Sequence, residues 1–558
     1  MVRAKEIYLK LIVTSDVHGS FFPYNFVTDI PSGGSLARVH SLLEIKRKKM
    51  GNRLLYVDNG DVLQGQPSAY YYNFVETESE HLAASVLNYL KCDVGNIGNH
   101  DIEGGHDVYD RWVSQCRFPV LGANVIDVKT GEPYFTPYII LEREGIRIAV
   151  LGMITPAVPM WLPEVLWSGL QFEDMEVCAR KWMKLIREKE HPDVVVGMLH
   201  AGKEAMRQVD SYNEDATMDI AQNVPGFDIL LIGHDHKRFC GTVKNVEGKQ
   251  VWIVNPANNA IVVGEVDFHL LKLDGKVVHK KIAAKLTRTS NFGISRDFMN
   301  HFSASYKKVK NFVCRRIGTM ADTLRIEPSY FGSSAFIDFI HSMQLELTQA
   351  DISFCAPLSY DAVIKAGEVY MRDMFNLYRY ENMLYTMRLS GKEVKDYLEY
   401  SYTLWTNQML SPQDHIMSLS PLNEDATRLG FKNFAFNFDS AAGIRYTVDV
   451  TRPQGKKIMI ECMADGTAFN EEKIYKVAIN SYRGNGGGEL LTVGAGIPKE
   501  ELAQRIVKST TKDLRYYLTE YIERQGTVYP KPMNLWKFVP EDWTKKAIER
   551  DRALLFGK

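Results

Sequence analysis

Five apolar segments in the first half of the chain each run into a short polar stretch that contains Asp, Asn or His, mostly beside glycine. The segments are rich in Val, Ile and Leu, as is typical of strands buried on both faces. The polar stretches are residues 15–19, 58–61, 98–101, 198–202 and 233–236. Ligands of open α/β sheets bind beyond the carboxyl ends of the strands, so we expect these stretches to converge on one site.

Segments with helical periodicity separate several of these strands, which indicates a layered α/β domain with sheets flanked by helices. The predicted strands are residues 9–14, 54–58, 94–98, 146–154, 194–199, 229–232 and 251–254. The predicted helices include residues 36–49, 81–90 and 175–188.

A chain of 558 residues is too long for one hydrophobic core, so more than one domain is expected. The layered domain is assigned to residues 1–290 and a linker helix to residues 291–317. A second α/β (α+β) domain, residues 318–558, has predicted strands near residues 352–355, 384–389, 444–450 and 476–479. The linker is predicted as one long helix over residues 296–316, because apolar side chains recur at helical spacing: Phe298, Phe302, Tyr306, Val309 and Val313.

Composition excludes several classes of partner. An apolar fraction of 45% and a charged fraction of 24% are those of an ordinary globular protein. The net charge is −1 and basic residues form no block, so a nucleic-acid polymer is not the expected partner. No apolar run is long enough to span a bilayer, and nothing in the sequence indicates a protein partner.

The polar stretches supply ligands for a pair of divalent metal ions. Imidazole and carboxylate together suit zinc, manganese, iron or cobalt, and no thiolate is among them. A carboxylate can touch two metals at once, and Asp61 is the predicted bridge. One such residue at a strand end is usually a loop hydrogen-bonder, whereas the full set indicates a site: Asp16, His18, Asp61, Asn99, His200, His234 and His236.

Residues 8–236 resemble the calcineurin-like metallophosphoesterase family in the order of their motifs, which are D-x-H, G-D-x-x-x-G, G-N-H-[DE], a lone His and G-H-x-H. The resemblance implies that Asp61 is shared between two metals. It implies that one metal is completed by Asp16, His18 and His236, and the other by Asn99, His200 and His234.

The same resemblance implies that His100 contacts the reacting phosphoryl group and stabilises charge or protonates the leaving oxygen. The 5′-nucleotidases usually read G-N-H-E-F-D here, whereas this chain reads G-N-H-D-I-E. Glu103 therefore stands in place of the carboxylate that orients the catalytic histidine, with a side chain of different reach.

Nearly the whole chain resembles the 5′-nucleotidase family, whose members carry a C-terminal nucleotide-specificity domain. Two stretches, residues 438–446 and 480–488, resemble its substrate loops. The resemblance implies that Phe438 and Tyr482 sandwich a base, with stacking worth about 1–3 kcal/mol. Gly486 lies beside Tyr482 and would let the backbone approach the ligand closely.

The branch of this family is indicated by residues 355–361, which read C-A-P-L-S-Y-D where 5′-nucleotidases usually carry N-G-G-G-I-R. Residues 373–382, 391–394 and 443–453 are more similar to 2′,3′-cyclic-nucleotide 2′-phosphodiesterase/3′-nucleotidases. The expected activity is metal-dependent hydrolysis of 2′,3′-cyclic nucleotides to 3′-nucleotides and then to nucleosides.

Two alternatives remain: a 5′-nucleotidase or nucleotide-sugar hydrolase, and a non-catalytic nucleotide-binding protein of the same fold. Family resemblance suggests a periplasmic or other extracytoplasmic enzyme. The first residues pass straight into a predicted strand, so any signal peptide would be absent from this chain, and a cytoplasmic location stays open.

Overall fold

The computed structural model describes residues 4–204, 213–422 and 429–557, and the chain divides into two compact units. Unit 1 comprises Met1–Pro159 and Glu164–Val313. Unit 2 comprises Met160–Pro163 and Cys314–Lys558.

Unit 1 is built around two six-stranded sheets, each with parallel strands at its centre and antiparallel strands at an edge. In order across the first sheet, the strands are Lys276–Arg288, Val262–Leu273, Ala4–Thr14, Leu54–Asp58, Val94–Asn96 and Val120–Leu121. Across the second they are Arg238–Lys244, Gln250–Pro256, Ile229–Ile232, Val194–His200, Ile146–Ile154 and Tyr138–Arg143. Two short pairs complete the strands: Val125–Asp127 with Leu170–Phe172, and Tyr24–Asn25 with Ile30–Pro31.

The strand Ile146–Ile154 shows how the layers are held together. Its side chains alternate between the two faces of the sheet. Ile146, Ile148 and Val150 join a core that also contains strand residues of the first sheet, such as Leu11 and Val57. The intervening residues, Ala149, Leu151 and Met153, pack with helical residues in a second core. The arrangement is therefore helix, sheet, sheet, helix, as the sequence predicted in outline.

Helices cover the outer faces of unit 1. They are Leu36–Met50, Pro67–Phe74, Leu82–Tyr89, Asn99–Ile102, His106–Gln115, Met175–Leu185, Thr217–Asn223, Arg296–His301 and Ser303–Val313. A further short helix, Val158–Trp161, has its first two residues in unit 1 and its last two in unit 2. A π-helical turn, Ile186–Glu190, extends one of them, and 3₁₀ turns occupy Gly51–Arg53, Glu164–Leu166 and Thr289–Asn291.

The linker differs from the prediction of one long helix. Two helices, Arg296–His301 and Ser303–Val313, are separated at Phe302, and the strand Arg316–Met320 follows. Both helices pack on the ring of Phe22, whose centroid lies 6.2 Å from that of Phe298 and 5.3 Å from that of Tyr306. The apolar residues therefore keep their helical spacing across the break. Both helices group with unit 1, so they do not form a separate connecting segment.

Unit 2 contains a five-stranded mixed sheet and two three-stranded sheets. The five strands, in spatial order, are Ser440–Ala442, Ile352–Cys355, Ile474–Asn480, Leu384–Ser390 and Ile506–Ser509. The three-stranded sheets are Ile458–Met463, Ile444–Asp449 and Trp536–Val539, and Gly367–Tyr370, Arg316–Met320 and Thr527–Val528. Two short pairs are Leu324–Arg325 with Val363–Ile364, and Leu419–Pro421 with Leu429–Phe431.

The helices of unit 2 are Ala335–Thr348, Met371–Leu377, Gly391–Trp405, Ser481–Gly484, Leu502–Arg505, Leu514–Gln525 and Glu541–Phe556. Short 3₁₀ turns occupy Glu327–Tyr330, Ala435–Asn437, Gly487–Glu489 and Lys499–Glu501, and a π turn occupies Leu490–Gly494. The unit has an aromatic core in which the Trp405 ring stacks on Tyr402, with centroids 4.8 Å apart. The α/β fold class predicted for both halves is confirmed. Among the described residues, no helix combines the length and apolarity needed to cross a bilayer.

Candidate metal centre and substrate loops

The predicted metal ligands of unit 1 lie together in two groups. Asp16, His18 and His236 form one group, and Asp61, His200 and His234 form the other. Within each group the potential ligand atoms lie within 4.8 Å of one another. The grouping follows the division that the motif order implied.

Short distances between ligand atoms show how compact the site is. His18 Nε2 lies 3.0 Å from His236 Nε2, and His236 Nε2 lies 3.3 Å from Asp16 Oδ1. In the other group His200 Nε2 lies 3.1 Å from Asp61 Oδ2. His200 Nε2 is also 3.9 Å from Asp16 Oδ1, so the two groups adjoin through the Asp16 carboxylate.

The backbone at the predicted ligands adopts a conformation that L-residues rarely use. Non-glycine residues with positive φ are uncommon and cluster at functional sites. Five of the seven predicted ligands have φ between 49° and 69°: Asp16, His18, Asp61, His234 and His236. The sharp turns that follow the strands therefore direct these side chains back into one site.

Hydrogen bonds fix which ring nitrogen of the buried histidines is available. His18 Nδ1 lies 3.0 Å from the carbonyl oxygen of Gln64, and His200 Nδ1 lies 2.7 Å from that of Asn59. A carbonyl oxygen can only accept, so Nδ1 carries a proton in both rings and Nε2 is the nitrogen left to face the carboxylates. Backbone carbonyls that orient metal-binding histidines in this way are usual around metal ions.

Several ligand atoms have no alternative role in the fold. Asp61 Oδ2, Asn99 Oδ1 and His200 Nε2 are buried and make no hydrogen bond within the described residues. Buried polar atoms normally have a partner, because leaving one unpaired costs free energy. These atoms, together with the mixed imidazole and carboxylate donor set, fit a pair of divalent metal ions.

Electrostatics favour positive charge in this place. Asp16 and Asp61 are fully buried. Burial opposes protonation of His200, but the Asp61 and Asp16 carboxylates overcome it and raise the pKa of His200 to about 10. Burial has the opposite outcome at His18 and lowers its pKa to about 4, so the effect of the two carboxylates is strongest beside His200.

Two glycines leave room for the carboxylates. A Cβ atom on Gly98 would lie 2.2 Å from Asp61 Oδ1, and one on Gly233 would lie 2.5 Å from Asp16 Oδ2. The glycines of G-N-H and G-H-x-H are therefore required by the close approach of strand-end loops to the ligands.

Asp101 holds the loops in place, a role that the sequence analysis missed. Its Oδ1 accepts hydrogen bonds from the amides of Val62 (2.8 Å) and Leu63 (2.9 Å). Its Oδ2 accepts from Asp61 N (2.9 Å) and Gly98 N (2.8 Å). The only sequence signal is the acidic position in G-N-H-[DE], and all four partners are backbone amides, which no side-chain pattern reveals.

His100 and Glu103 form a close pair. His100 Nδ1 lies 2.5 Å from Glu103 Oε2, across one turn of the short helix that begins at Asn99. The amide of His100 also donates to Asp61 Oδ1 over 2.8 Å, which ties it to the metal ligands. The glutamate has a longer side chain than the aspartate usual at this position, and it still pairs with the histidine.

In unit 2 the structure contradicts the predicted role of Phe438. Its ring is completely buried and stacks on Trp405, with centroids 5.4 Å apart and an interplanar angle of 4°. Phe431 packs against it at 5.4 Å. A base cannot reach this ring. The resemblance pointed to Phe438, which forms core, whereas Phe436, two residues earlier, is only partly buried.

Phe436 is the phenylalanine of this stretch that lines a pocket. It stacks on the exposed Phe434 at 5.1 Å and meets the ring of Tyr482 edge to face, with centroids 6.3 Å apart and planes at 85°. Phe434 and Phe436 line a pocket of about 490 Å³ together with Arg379 and Tyr380. We call residues 435–439 the first substrate loop and residues 480–488 the second substrate loop.

The second substrate loop places Tyr482 in a short helix, Ser481–Gly484, directly after the strand Ile474–Asn480. A Cβ atom on Gly487 would lie 2.5 Å from the Tyr482 ring. Gly486 has φ of 97°, and a Cβ there would instead meet Leu502 and Lys499 at 3.2 and 3.3 Å. Gly487, rather than the predicted Gly486, is the glycine that packs against the aromatic ring.

Two family models match the chain, one in each half. Residues 9–238 match the calcineurin-like phosphoesterase model, and residues 316–494 match the 5′-nucleotidase C-terminal domain model. The chain carries both domains. The prediction of a hydrolase that acts on phosphoester bonds, made from the motif order, is confirmed by this pair.

Proteins of similar sequence align over almost the whole chain. The trifunctional nucleotide phosphoesterase protein YfkN of Bacillus subtilis is 27% identical over 605 residues, covering 98% of this chain. The chain spans only 40% of the length of that relative. A 2′,3′-cyclic-nucleotide 2′-phosphodiesterase/3′-nucleotidase of Yersinia enterocolitica is 27% identical over 597 residues. The alignment covers 96% of this chain and 88% of the Yersinia protein.

A solved structure shows the same fold. A Staphylococcus aureus protein crystallised with α-ketoglutarate superposes with a TM-score of 0.78 at 21% identity, covering 95% of this chain and 100% of that one. At this identity the likeness shows a shared fold over almost the whole of both chains.

Replacing Asp101 by Asn should disturb the metal centre of the phosphoesterase domain. One carboxylate oxygen becomes an NH₂ group, so two of the four backbone amides lose their acceptor at about 1–3 kcal/mol each. We expect a lower melting temperature and less bound metal by elemental analysis. Asp107→Asn, at an exposed position in the following helix, is the control. Unchanged metal content in Asp101→Asn would contradict the role of this carboxylate.

Proposed function

We propose that the chain hydrolyses 2′,3′-cyclic nucleotides to 3′-nucleotides, and then to nucleosides, with two divalent metal ions bound in unit 1. The observation that carries the proposal is the convergence of six of the seven predicted ligands in two adjoining groups, with Asp61 Oδ2, Asn99 Oδ1 and His200 Nε2 buried without a hydrogen bond. The substrate class is supported by the names of similar proteins and by the stretches quoted above.

The residues expected to hold the metals are those that the motifs indicated. Asp16, His18 and His236 would bind one ion, Asn99, His200 and His234 the other, and Asp61 would be shared. Two bound cations would polarise the phosphoryl oxygens and lower the pKa of a bound water near neutrality. The donor set admits zinc, manganese, cobalt or iron.

His100 is proposed as the residue that contacts the phosphoryl group. Glu103 holds Nδ1 of the ring, and the amide of His100 is anchored on Asp61. The ring is thus oriented, and Nε2 is the atom proposed to act on the substrate. From that position it can donate a hydrogen bond to the phosphoryl oxygen, or a proton to the leaving oxygen, and stabilise charge in the transition state.

Unit 2 is proposed to recognise the nucleoside part. Phe436 and Tyr482 bring two aromatic rings together from separate loops, edge to face with their planes at 85°. Aromatic rings are the surfaces on which bases stack, and Phe436 also lines the pocket described above. An extracytoplasmic enzyme that releases nucleosides from nucleotides is the setting that the family resemblance favours.

The first test is phosphate release from 2′,3′-cyclic AMP, 3′-AMP and 5′-AMP with manganese or zinc, followed by chelation. We expect activity on the cyclic and 3′ substrates and its loss on chelation. A preference for 5′-AMP would assign the chain to the 5′-nucleotidases. If metal-loaded protein bound these nucleotides but hydrolysed none of them, the non-catalytic alternative would be supported.

His100→Ala should lower kcat by at least about 100-fold, because general acid catalysis and charge stabilisation typically contribute 10² to 10⁴. Metal content should stay near that of the wild type, since His100 is not assigned as a ligand. Glu103→Gln, which keeps the shape but not the charge of the partner, should lower kcat less. His279→Ala, on an exposed strand position, is the matched control. Parallel loss of metal and activity in His100→Ala would show that the histidine is a ligand instead.

The two phenylalanines of F-x-F should respond differently to truncation. Phe438→Ala opens a cavity in the core and should destabilise unit 2 by about 3–5 kcal/mol. Phe436→Ala removes a stacking surface, so we expect KM for nucleotides to rise about tenfold with a small change in stability. Urea unfolding and steady-state kinetics of both variants measure these effects. The assignment of the two rings would be wrong if the effects were reversed.

A further inference from the structure

Arg483 is a fully buried arginine that directly follows Tyr482 in the second substrate loop. It is 1% exposed, in a unit whose other arginines mostly reach the surface. Arginine is rarely buried unless its donors are all paired, so its position calls for an explanation in terms of its partners.

The guanidinium group of Arg483 joins the two substrate loops. Nε donates to Asp439 Oδ2 over 2.7 Å, and Nη2 donates to the carbonyl oxygen of Phe436. Nη1 donates to the carbonyl oxygen of Gly487 over 2.9 Å. Two of these bonds reach the first substrate loop and one holds the second, and a planar fork is the geometry that makes all three at once.

The loops pack directly against each other at this arginine. A Cβ atom on Gly488 would lie 2.3 Å from Nη1 of Arg483 and 2.5 Å from Oδ1 of Asn437. Gly488 also has φ of 71°, which disfavours other residues. The glycine run of the second loop is therefore shaped to the guanidinium and to the turn that carries Phe436.

Both ends of the connection are anchored in the body of unit 2. The carbonyl oxygen of Asp439 accepts a hydrogen bond of 2.8 Å from Ser401 Oγ, on the helix Gly391–Trp405. The Asn480 side chain accepts a hydrogen bond of 2.9 Å from Arg483 N at the start of the short helix. The guanidinium thus links two loops that are each fixed to the core.

We propose that Arg483 is a positioning residue that sets the separation of the Phe436 and Tyr482 rings and thereby the affinity of unit 2 for the base. This inference rests on the proposed base-binding role of the two rings. Arg483 acts through the carbonyl of Phe436 and through the loop that follows Tyr482. Its guanidinium carbon also lies 5.1 Å from the centroid of the Tyr482 ring.

The test uses Arg483→Lys, which keeps the positive charge but cannot make the forked set of hydrogen bonds. Asp439→Asn removes the charge of the partner and is a second variant, in case the first folds poorly. Arg388→Lys, at an exposed position of the strand Leu384–Ser390 in the same unit, is the matched control. All are compared with the wild type at low temperature after circular dichroism has confirmed folding.

Two quantities are measured on the metal-loaded, full-length protein. The first is calorimetric binding of adenosine, guanosine, cytidine and uridine. The second is selectivity, the kcat/KM for the preferred nucleotide divided by that for base-free bis(p-nitrophenyl) phosphate. Because stacking of one base is worth about one to two orders of magnitude in affinity, we expect Arg483→Lys to weaken nucleoside binding about tenfold or more and to lower selectivity similarly. Arg388→Lys should change neither quantity.

The outcomes separate this proposal from the proposed function. Suppose that kcat/KM falls equally for both substrates in both variants, so that selectivity is unchanged, and that nucleoside affinity is unchanged too. Arg483 would then have a purely structural role, and the proposal would be overturned. A wild type that binds no nucleoside would overturn it as well. A wild type that binds nucleosides but hydrolyses no nucleotide would overturn the proposed function alone, and the effect of Arg483→Lys on binding would still decide the role of the arginine.

Discussion

Two buried carboxylates, those of Asp16 and Asp61, impose the strongest constraint on this molecule. An isolated buried charge is costly, so each needs cationic or hydrogen-bonding partners in fixed positions. Imidazoles surround both carboxylates, and backbone amides bind their remaining oxygens. The parallel strands of unit 1 satisfy this requirement by ending at one edge, where sharp turns direct the side chains inward.

Much of unit 1 could be predicted from sequence because each feature had a local signal. The strands Leu54–Asp58, Ile146–Ile154 and Ile229–Ile232 have the predicted bounds, since buried apolar runs end where the metal-ligand turns begin. The antiparallel hairpin Val262–Leu273 and Lys276–Arg288 was missed. Its second strand is largely exposed and rich in lysine, so it lacks the apolar run on which strand prediction depends.

Other features of the site were not accessible from sequence. The acid that supports the loops, Asp101, binds only backbone amides, and a pattern of side chains does not show where an amide will point. Which of Phe436 and Phe438 is buried in the core depends on packing against Trp405, which is more than 30 positions away in the sequence and stacks on Phe438. Long-range packing thus determined what local spacing left open.

One strand determines how cooperatively unit 1 unfolds. Ile146–Ile154 contributes alternate side chains to both cores, so neither core can open without exposing residues of the other. Local unfolding that would let one layer fray on its own is thereby suppressed, and unit 1 should lose structure as a single cooperative block. The strand-end turns are then held rigid by the whole sandwich, and hydrogen exchange at their amides should follow global rather than local opening.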